Sequence, residues 1–427
     1  MAKQLKDFAK EIQDCLQCGF CLAKCPIYRE LRMDPMVARG EINLAKALLE
    51  GDIEATKKMD EMLMMCQLCG QCTEACPAGV KTADIVTAAR LEVAKRRGLP
   101  WIKKAIFSFL KNPSLTPLAM KMGALGQNIA FKKDGDMASE RVPIIFGADR
   151  FLPKISGSSI MDKYPEVIKV DNPKKRVAYF IGCYSNYVDT ELGDAVIGVM
   201  KHNGYEVVLP KDQVCCGLPL LAHGDEEGFE LLRKNIRIFA KLADEVDAII
   251  VDCATCGATL KETPESFLSD EPEIFELYEK IKDKIVSVEE FLVENGYKED
   301  FGEVDFTVTY HLPCHRSWSD LRGAPRKIIE SIPGAKLVEM AEPERCCGNA
   351  GSHMLTHYDL ASQVRARKLE DIKQTEADYC MTPCPGCRMF LGEGVRQQKL
   401  DTKVVHPIKL MAQAYQAGGQ KALPKAN

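Results

Sequence analysis

Five cysteines recur in this chain at one fixed interval, and that interval constrains the fold more than any other feature. Cys183, Cys215, Cys216, Cys253 and Cys256 reappear as Cys314, Cys346, Cys347, Cys384 and Cys387, each displaced by 131 residues. Tyr179 maps to Tyr310 and Gly217 to Gly348 at the same offset. One offset shared by so many positions marks a duplicated module. In both copies the spacing is Cys-x31-Cys-Cys-Gly-x35-Cys-x2-Cys.

Between the cysteines the residues alternate strand and helix. Arg176–Gly182 is a short apolar run that ends at Cys183, a buried strand by its pattern. Residues 189–202 put Leu192, Val196, Val199 and Met200 on one helical face. Tyr205–Pro210 predicts a second strand, residues 226–243 a second helix with Phe229, Leu232, Ile236, Phe239 and Ala243 inward, and Asp247–Asp252 a third strand. The second copy repeats the strands as Phe306–Tyr310, Ala335–Met340 and Ala377–Met381. Alternation of this kind predicts an α/β module with a mostly parallel sheet. The cysteines then fall at the carboxyl ends of strands, where such sheets place their ligands.

Eight further cysteines lie ahead of the repeats. Cys15-x2-Cys18-x2-Cys21-x3-Cys25-Pro26 is followed by Cys66-x2-Cys69-x2-Cys72-x3-Cys76-Pro77. This is the run of two-cluster bacterial ferredoxins, in which the fourth cysteine serves the other cluster. Cys15, Cys18, Cys21 and Cys76 are therefore assigned to one cubane [4Fe-4S] cluster, and Cys66, Cys69, Cys72 and Cys25 to the other. Gly19 and Gly70 stand where the chain must turn tightly. A zinc site, which takes four ligands usually in two pairs, fits this spacing poorly.

In the repeats, five thiolates exceed what one tetrahedral zinc uses. Adjacent cysteines such as Cys215 and Cys216 suit two irons of one cluster, and Gly217 and Gly348 are expected to let the backbone approach it. The expected layout is an α-helical two-cluster domain at 1–98, a helical and irregular linker at 99–172, and repeats at 173–298 and 299–427.

The bulk composition is that of a soluble globular chain: 427 residues, 46% hydrophobic, 28% charged and a formal net charge of −4. That balance argues against nucleic acid as a partner. No 18-residue apolar run predicts a membrane span, and the N-terminus has no apolar signal region. The expected setting is the cytoplasm, where 19 cysteines mean metal or redox chemistry rather than disulfides. No G-x-G-x-x-G follows a strand, so a flavin or nicotinamide would come from another subunit.

The motifs resemble the cysteine-rich "CCG" family. Tyr179-Phe-Ile-Gly-Cys-Tyr-Ser-Asn-Tyr, Cys215-Cys-Gly-Leu-Pro-Leu, Tyr310-His-Leu-Pro-Cys-His and His406-Pro-Ile-Lys-Leu are most similar to the C subunit of anaerobic glycerol-3-phosphate dehydrogenase. In that type the first repeat commonly lacks part of its Cys-x2-Cys pair, whereas Cys253 and Cys256 are both present here. The complete pair resembles the heterodisulfide reductase B subunit, whose repeats each hold a non-cubane [4Fe-4S] cluster. The resemblance implies one or two such clusters: Cys314, Cys346, Cys347, Cys384 and Cys387 would carry the redox site of repeat 2. Cys183, Cys215, Cys216, Cys253 and Cys256 would bind a second cluster, or a zinc ion, in repeat 1. It also implies an electron-transfer subunit working with a flavoprotein dehydrogenase. Electrons would pass to a quinone at the cytoplasmic membrane face or, in the alternative, to a disulfide cleaved by two clusters.

The remaining candidates read more plainly. Cys380 aligns with Ile249 and is expected to be a buried apolar thiol. His315 is expected to donate a hydrogen bond beside the cluster or to pack there. His353 and His357 have a zinc-helix spacing without a third ligand, and His406 is expected to cap the last helix. Residues 100–111 predict a basic amphipathic helix with Ile102, Ile106, Phe109 and Leu110 on one face, begun by Pro100 and stopped by Pro113. Such a helix either packs on protein or lies on a membrane surface.

Overall fold

Glycines in the left-handed region open the two cysteine loops of the N-terminal domain. Gly19 (φ +83°) precedes the helix Phe20–Lys24, and Gly70 (φ +70°) precedes Gln71–Glu74. The longer helices Ala38–Glu50 and Thr82–Arg97 back these loops. Their buried Ile42, Ala45, Leu48, Ile85, Ala88 and Ala89 pack against Leu5, Phe8 and Ile12. The computed structural model describes residues 1–112, 115–134, 137–141 and 149–420; Pro113 and Pro143 of the linker lie outside them.

The repeats form two sheets of the same order. In repeat 1 the strands lie in the order Val167–Ile168, Tyr205–Val208, Lys175–Phe180, Ala248–Val251, Ile285–Ser287. All are parallel except Val167–Ile168, an antiparallel edge. Repeat 2 has Ala335–Leu337, Phe306–Tyr310, Tyr379–Met381 and Lys403–Val405, all parallel. In each sheet the first strand of the module is central and the chain then winds to either side of it. The crevice at its carboxyl end is thus a topological switch point. Cys183 and Cys253 leave the two strands that flank this point in repeat 1; Cys314 and Cys384 do so in repeat 2.

The helical faces match their pattern. Leu192, Val196, Val199 and Met200 are fully buried in Thr190–His202, as are Phe229, Leu232, Ile236 and Phe239 in Glu227–Lys241. The segment ahead of the repeats is more ordered than its prolines suggest. It forms the helices Trp101–Lys111 and Thr116–Ala130 and a small antiparallel sheet of Phe131–Asp134, Met137–Glu140 and Leu152–Pro153. It also ties into repeat 2: Arg150 Nε donates to the buried Glu393 carboxylate at 2.6 Å, which accepts from Arg365 at 2.9 Å as well.

Gly217 and Gly348 have φ of +95° and +85°. Both lie against the backbone of a neighbouring helix, and the Gly348 amide also donates to Cys346 Sγ at 3.3 Å. A Cβ would stand 2.2 Å from the Gly228 carbonyl oxygen at Gly217 and 2.4 Å from the Ala361 oxygen at Gly348. Gly217→Ala is therefore expected to cost about 3 kcal/mol or more, combining backbone strain and overpacking. A urea midpoint unchanged from wild type would contradict this.

Candidate iron–sulfur centres

Four groups of cysteines are drawn together, and they lie in contact one after another. In the N-terminal domain, Cys15, Cys18, Cys21 and Cys76 line one cavity, and Cys25, Cys66 and Cys69 line a second; Cys72 lies on the wall of both. Cys25 and Cys76 thus cross over to the cavity of the other run. Burial pushes the Cys25 thiol up to about 12, and it raises Cys21, Cys66 and Cys72 as well. A metal that takes these ligands as thiolates must displace their protons.

Each repeat gathers its five sulfurs into one chain of contacts. Cys183 meets Cys215, Cys215 meets Cys216, Cys216 meets Cys256, and the Cys256 amide donates to Cys253 Sγ at 3.3 Å. Repeat 2 has the same order. Cys314 meets Cys346, Cys346 meets Cys347, and Cys347 and Cys387 are 3.2 Å apart, with Cys384 against Cys387. The second member of each adjacent pair is drawn below the usual thiol range. Cys216 is lowered by hydrogen bonds from Cys215 and Cys256, and Cys347 by hydrogen bonds from Cys346 and Cys387.

The groups also touch one another. Cys69 of the N-terminal domain is in side-chain contact with Cys314. Gln67, one residue beyond Cys66, donates to the Gly348 carbonyl and accepts from Cys346 Sγ at 3.0 Å. Between the repeats, the Ala254 amide donates to the Pro383 carbonyl at 3.2 Å, and Thr255 Oγ1 lies 3.5 Å from Cys384 Sγ. His315 stands at the common seam. Its Nε2 lies 3.2 Å from the Leu68 carbonyl and its Nδ1 3.3 Å from Thr255 Oγ1. Burial lowers its pKa, so the ring is neutral. The carbonyl can only accept, so Nε2 carries the proton and Nδ1 accepts from Thr255. The hydrogen-bonding role expected of His315 thus joins all three modules.

His311 is a site residue that the cysteine spacing does not reveal. It is fully buried, and its ring lies with the Cys347 and Cys387 sulfurs in a group within 4.8 Å. Neither of its ring nitrogens has a hydrogen-bond partner among the described residues, so the ring stands beside the sulfurs with its polar atoms unspent. Its position in repeat 1 is held by Phe180, and that exchange of a buried aromatic for a histidine is the available signal. The other candidates behave as simple structure. Cys380 is buried in its strand, His406 accepts from the Ile408 amide as a cap, and His353 and His357 stack at 4.9 Å.

A second polar group lies behind the cysteines. The Glu289 carboxylate is fully buried, 3.6 Å from His406 Nε2, and faces Asp252 and Arg388. Burial pushes it up to about 8. A carboxyl raised in the folded state stabilises the fold below its ordinary range, and that stability is lost as pH rises through the folded value. The urea midpoint is expected to fall from about pH 5 to about pH 8, and Glu289→Gln to flatten that slope. An equal slope in both proteins would refute the assignment.

A cavity of about 580 Å³ opens between the N-terminal domain and repeat 2. Its walls include Arg29, Arg316, Arg345 and Cys346, and no residue of repeat 1.

Comparison with known proteins agrees with this geometry. A family model described as a cysteine-rich domain matches residues 177–261 and 308–392, and one described as a 4Fe-4S dicluster domain matches residues 11–80. The chain is 32% identical to an uncharacterised iron–sulfur protein of Methanococcus maripaludis, over 95% of this chain and 74% of that one. It is 31% identical to a probable glycolate oxidase iron–sulfur subunit of Bacillus subtilis, over 95% of this chain and 94% of the relative. It is 28% identical to one polypeptide of the dihydromethanophenazine:CoB–CoM heterodisulfide reductase of Methanosarcina mazei, over 95% and 94%. A crystal structure of a hypothetical protein from Helicobacter pylori shares the fold with a TM-score of 0.51, at 11% identity, over 99% of this chain and 75% of that one.

Proposed function

Because the chain belongs to the family of iron–sulfur oxidoreductase subunits that join a 4Fe-4S dicluster domain to paired cysteine-rich domains, we propose that it is a four-site electron relay between a flavoprotein and a membrane quinone. The division assigned to it is a two-cluster domain at 1–98, a linker at 99–172, and cluster-binding repeats at 173–298 and 299–427. Cys15, Cys18, Cys21 and Cys76 would hold one cubane, and Cys25, Cys66, Cys69 and Cys72 the other. Each repeat would hold a non-cubane cluster on its five cysteines. The donor set fits iron–sulfur chemistry better than zinc, since five sulfurs converge in each repeat where a structural zinc takes four. Bound [4Fe-4S] clusters supply one-electron carriers, with potentials set by hydrogen bonds and exposure around the sulfurs.

The contact between Cys69 and Cys314 carries this reading, because it joins the two-cluster domain to repeat 2 without an intervening layer. The contacts then run on through Thr255 and Cys384 to repeat 1. The chain's own residues fix that order: Gln67 clamps the Cys66–Cys72 loop on repeat 2, and neutral His315 locks the seam. A quinone takes up two electrons and two protons to become a quinol. The electrons would come from the flavoprotein, at the cytoplasmic face of the membrane.

The alternative is a catalytic subunit of the heterodisulfide reductase type, in which two electrons and two protons convert a disulfide into two thiols. The intact Cys253–Cys256 pair beside Cys384 favours it. The open cavity weighs the other way, because it borders the N-terminal domain and repeat 2 but not repeat 1. Reoxidation of the dithionite-reduced protein separates the two. A water-soluble quinone is expected to reoxidise it rapidly, and an organic disulfide slowly. The reverse order would replace the relay with the disulfide reductase.

A further inference from the structure

Apolar side chains that a water-soluble protein would bury face outward on one helical hairpin. Among the described residues, large hydrophobic side chains are exposed at fourteen positions. Nine of these are Trp101, Ile102, Ile106, Phe109, Leu115, Leu118, Met122, Leu125 and Ile129. They lie on Trp101–Lys111, Thr116–Ala130 and the residue before the second helix. Leu118, Met122, Leu125 and Ile129 recur at four-, three- and four-residue steps, one stripe of a helix, and that stripe is the exposed one. Trp101 is 77% exposed and Ile129 71%.

The charge of the segment is one-sided. Residues 99–133 contain Lys103, Lys104, Lys111, Lys121, Lys132 and Lys133 and no acidic residue, within a chain of net charge −4. An outward apolar stripe with an indole at its edge and lysines alongside has the composition of a helix lying in the headgroup layer of an acidic bilayer. Protein–protein interfaces, by contrast, are depleted in lysine relative to the rest of the surface.

The inner side of the hairpin is fixed to repeat 1. Phe107 is buried with Leu220 and Leu231, and Leu110, Val214 and Cys215 pack against them. Lys111 Nζ pairs with the buried Asp225 carboxylate at 2.8 Å. Gln127 ties the second helix down by donating to the Pro153 carbonyl and accepting from the Ile155 amide, both at 2.9 Å.

We infer that the helices Trp101–Lys111 and Thr116–Ala130 together form a peripheral membrane anchor that seats the repeat 1 cysteines against an acidic phospholipid bilayer. This names the surface for the quinone reading and rests on that reading for its purpose; the electron relay itself does not depend on it. The contacts run from the two-cluster domain through repeat 2 to repeat 1, and Cys215 lies under the anchored helix. The bilayer thus meets the far end of the relay.

The test uses the full-length, cluster-loaded protein with sedimenting vesicles. Phosphatidylcholine vesicles containing phosphatidylglycerol are expected to carry the protein down, and pure phosphatidylcholine vesicles or high salt to release most of it. Lys104→Gln with Lys121→Gln removes two exposed charges and is expected to weaken binding about tenfold or more. Leu118→Ser with Leu125→Ser is expected to abolish it while iron content stays at the wild-type level. Trp101 emission is expected to shift to the blue on acidic vesicles, and the shift to vanish in Trp101→Phe, which still sediments. Wild-type protein that stays in the supernatant with full iron content would overturn the anchor and leave the relay standing. Association of two copies through this face without vesicle binding would also overturn it. Loss of iron without loss of vesicle binding would instead count against the relay.

Discussion

Cys347→Ser is expected to remove the repeat 2 centre while leaving the two-cluster domain intact. Cys347 stands in the middle of its group, against Cys346, 3.2 Å from Cys387 and with the His311 ring beside it. Its neighbours draw it towards the thiolate form that binds iron. A serine hydroxyl is a shorter and harder ligand that iron–sulfur clusters seldom use. The variant should lose about four irons per chain. Electron delivery to a quinone should fall by about a hundredfold or more, since even residues outside the ligand set of a metal site commonly matter at the level of ten- to a hundredfold. The signals of the dicluster domain should persist, because the cysteines proposed to hold its clusters line separate cavities within residues 15–76. Retained turnover with four irons missing would show that repeat 2 lies off the electron path.

Arg90→Met is expected to cost about 3–5 kcal/mol. Arg90 is buried in the helix Thr82–Arg97. Its guanidinium donates to the carbonyls of Leu63 at 2.6 Å, Cys66 at 2.6 Å and Ala222 at 2.7 Å. The first two hold the second cysteine loop, and the third belongs to repeat 1. The buried Glu41 carboxylate also depends on Arg90 for its opposing charge; burial already pushes it up to about 7. Methionine keeps the bulk but strands three carbonyls and an unpaired acid. Denaturation of anaerobic protein should show the loss, with the cluster of the second cavity released first. A change below about 1 kcal/mol would mean that the carbonyls find water instead.

Much of this organisation is legible in the sequence because it is local or repeated. The offset of 131 residues exposes the duplication, and strands such as Arg176–Gly182 declare themselves by apolar runs ending at a cysteine. The sheets run parallel as the alternation predicts, apart from the edge strand Val167–Ile168. What the sequence hides is contact between distant segments. Nothing in the spacing of Cys69 and Cys314 predicts that they meet, since 244 residues separate them (314 − 69 − 1). His311 is hidden by its surroundings, because a histidine in an apolar strand end reads as core until its neighbours are known. Gly217 and Gly348 have a further role that their place beside the cysteines does not reveal: they admit a helix carbonyl. The linker prolines suggest irregular chain, yet Phe107 and Arg150 fasten that segment to the two repeats separately. The helix Trp101–Lys111 is visibly amphipathic in its sequence, but the outward stripe on Thr116–Ala130 shows itself only when burial is known.

Four cysteine groups forming four redox centres is a proposal that metal content decides. Iron, zinc and acid-labile sulfide per chain, measured on anaerobically purified protein, test it most directly. About 16 irons, a similar amount of sulfide and no zinc are expected. About 8 irons, the complement of the two cubanes alone, would contradict it, and the duplicated repeats would then be a structural scaffold.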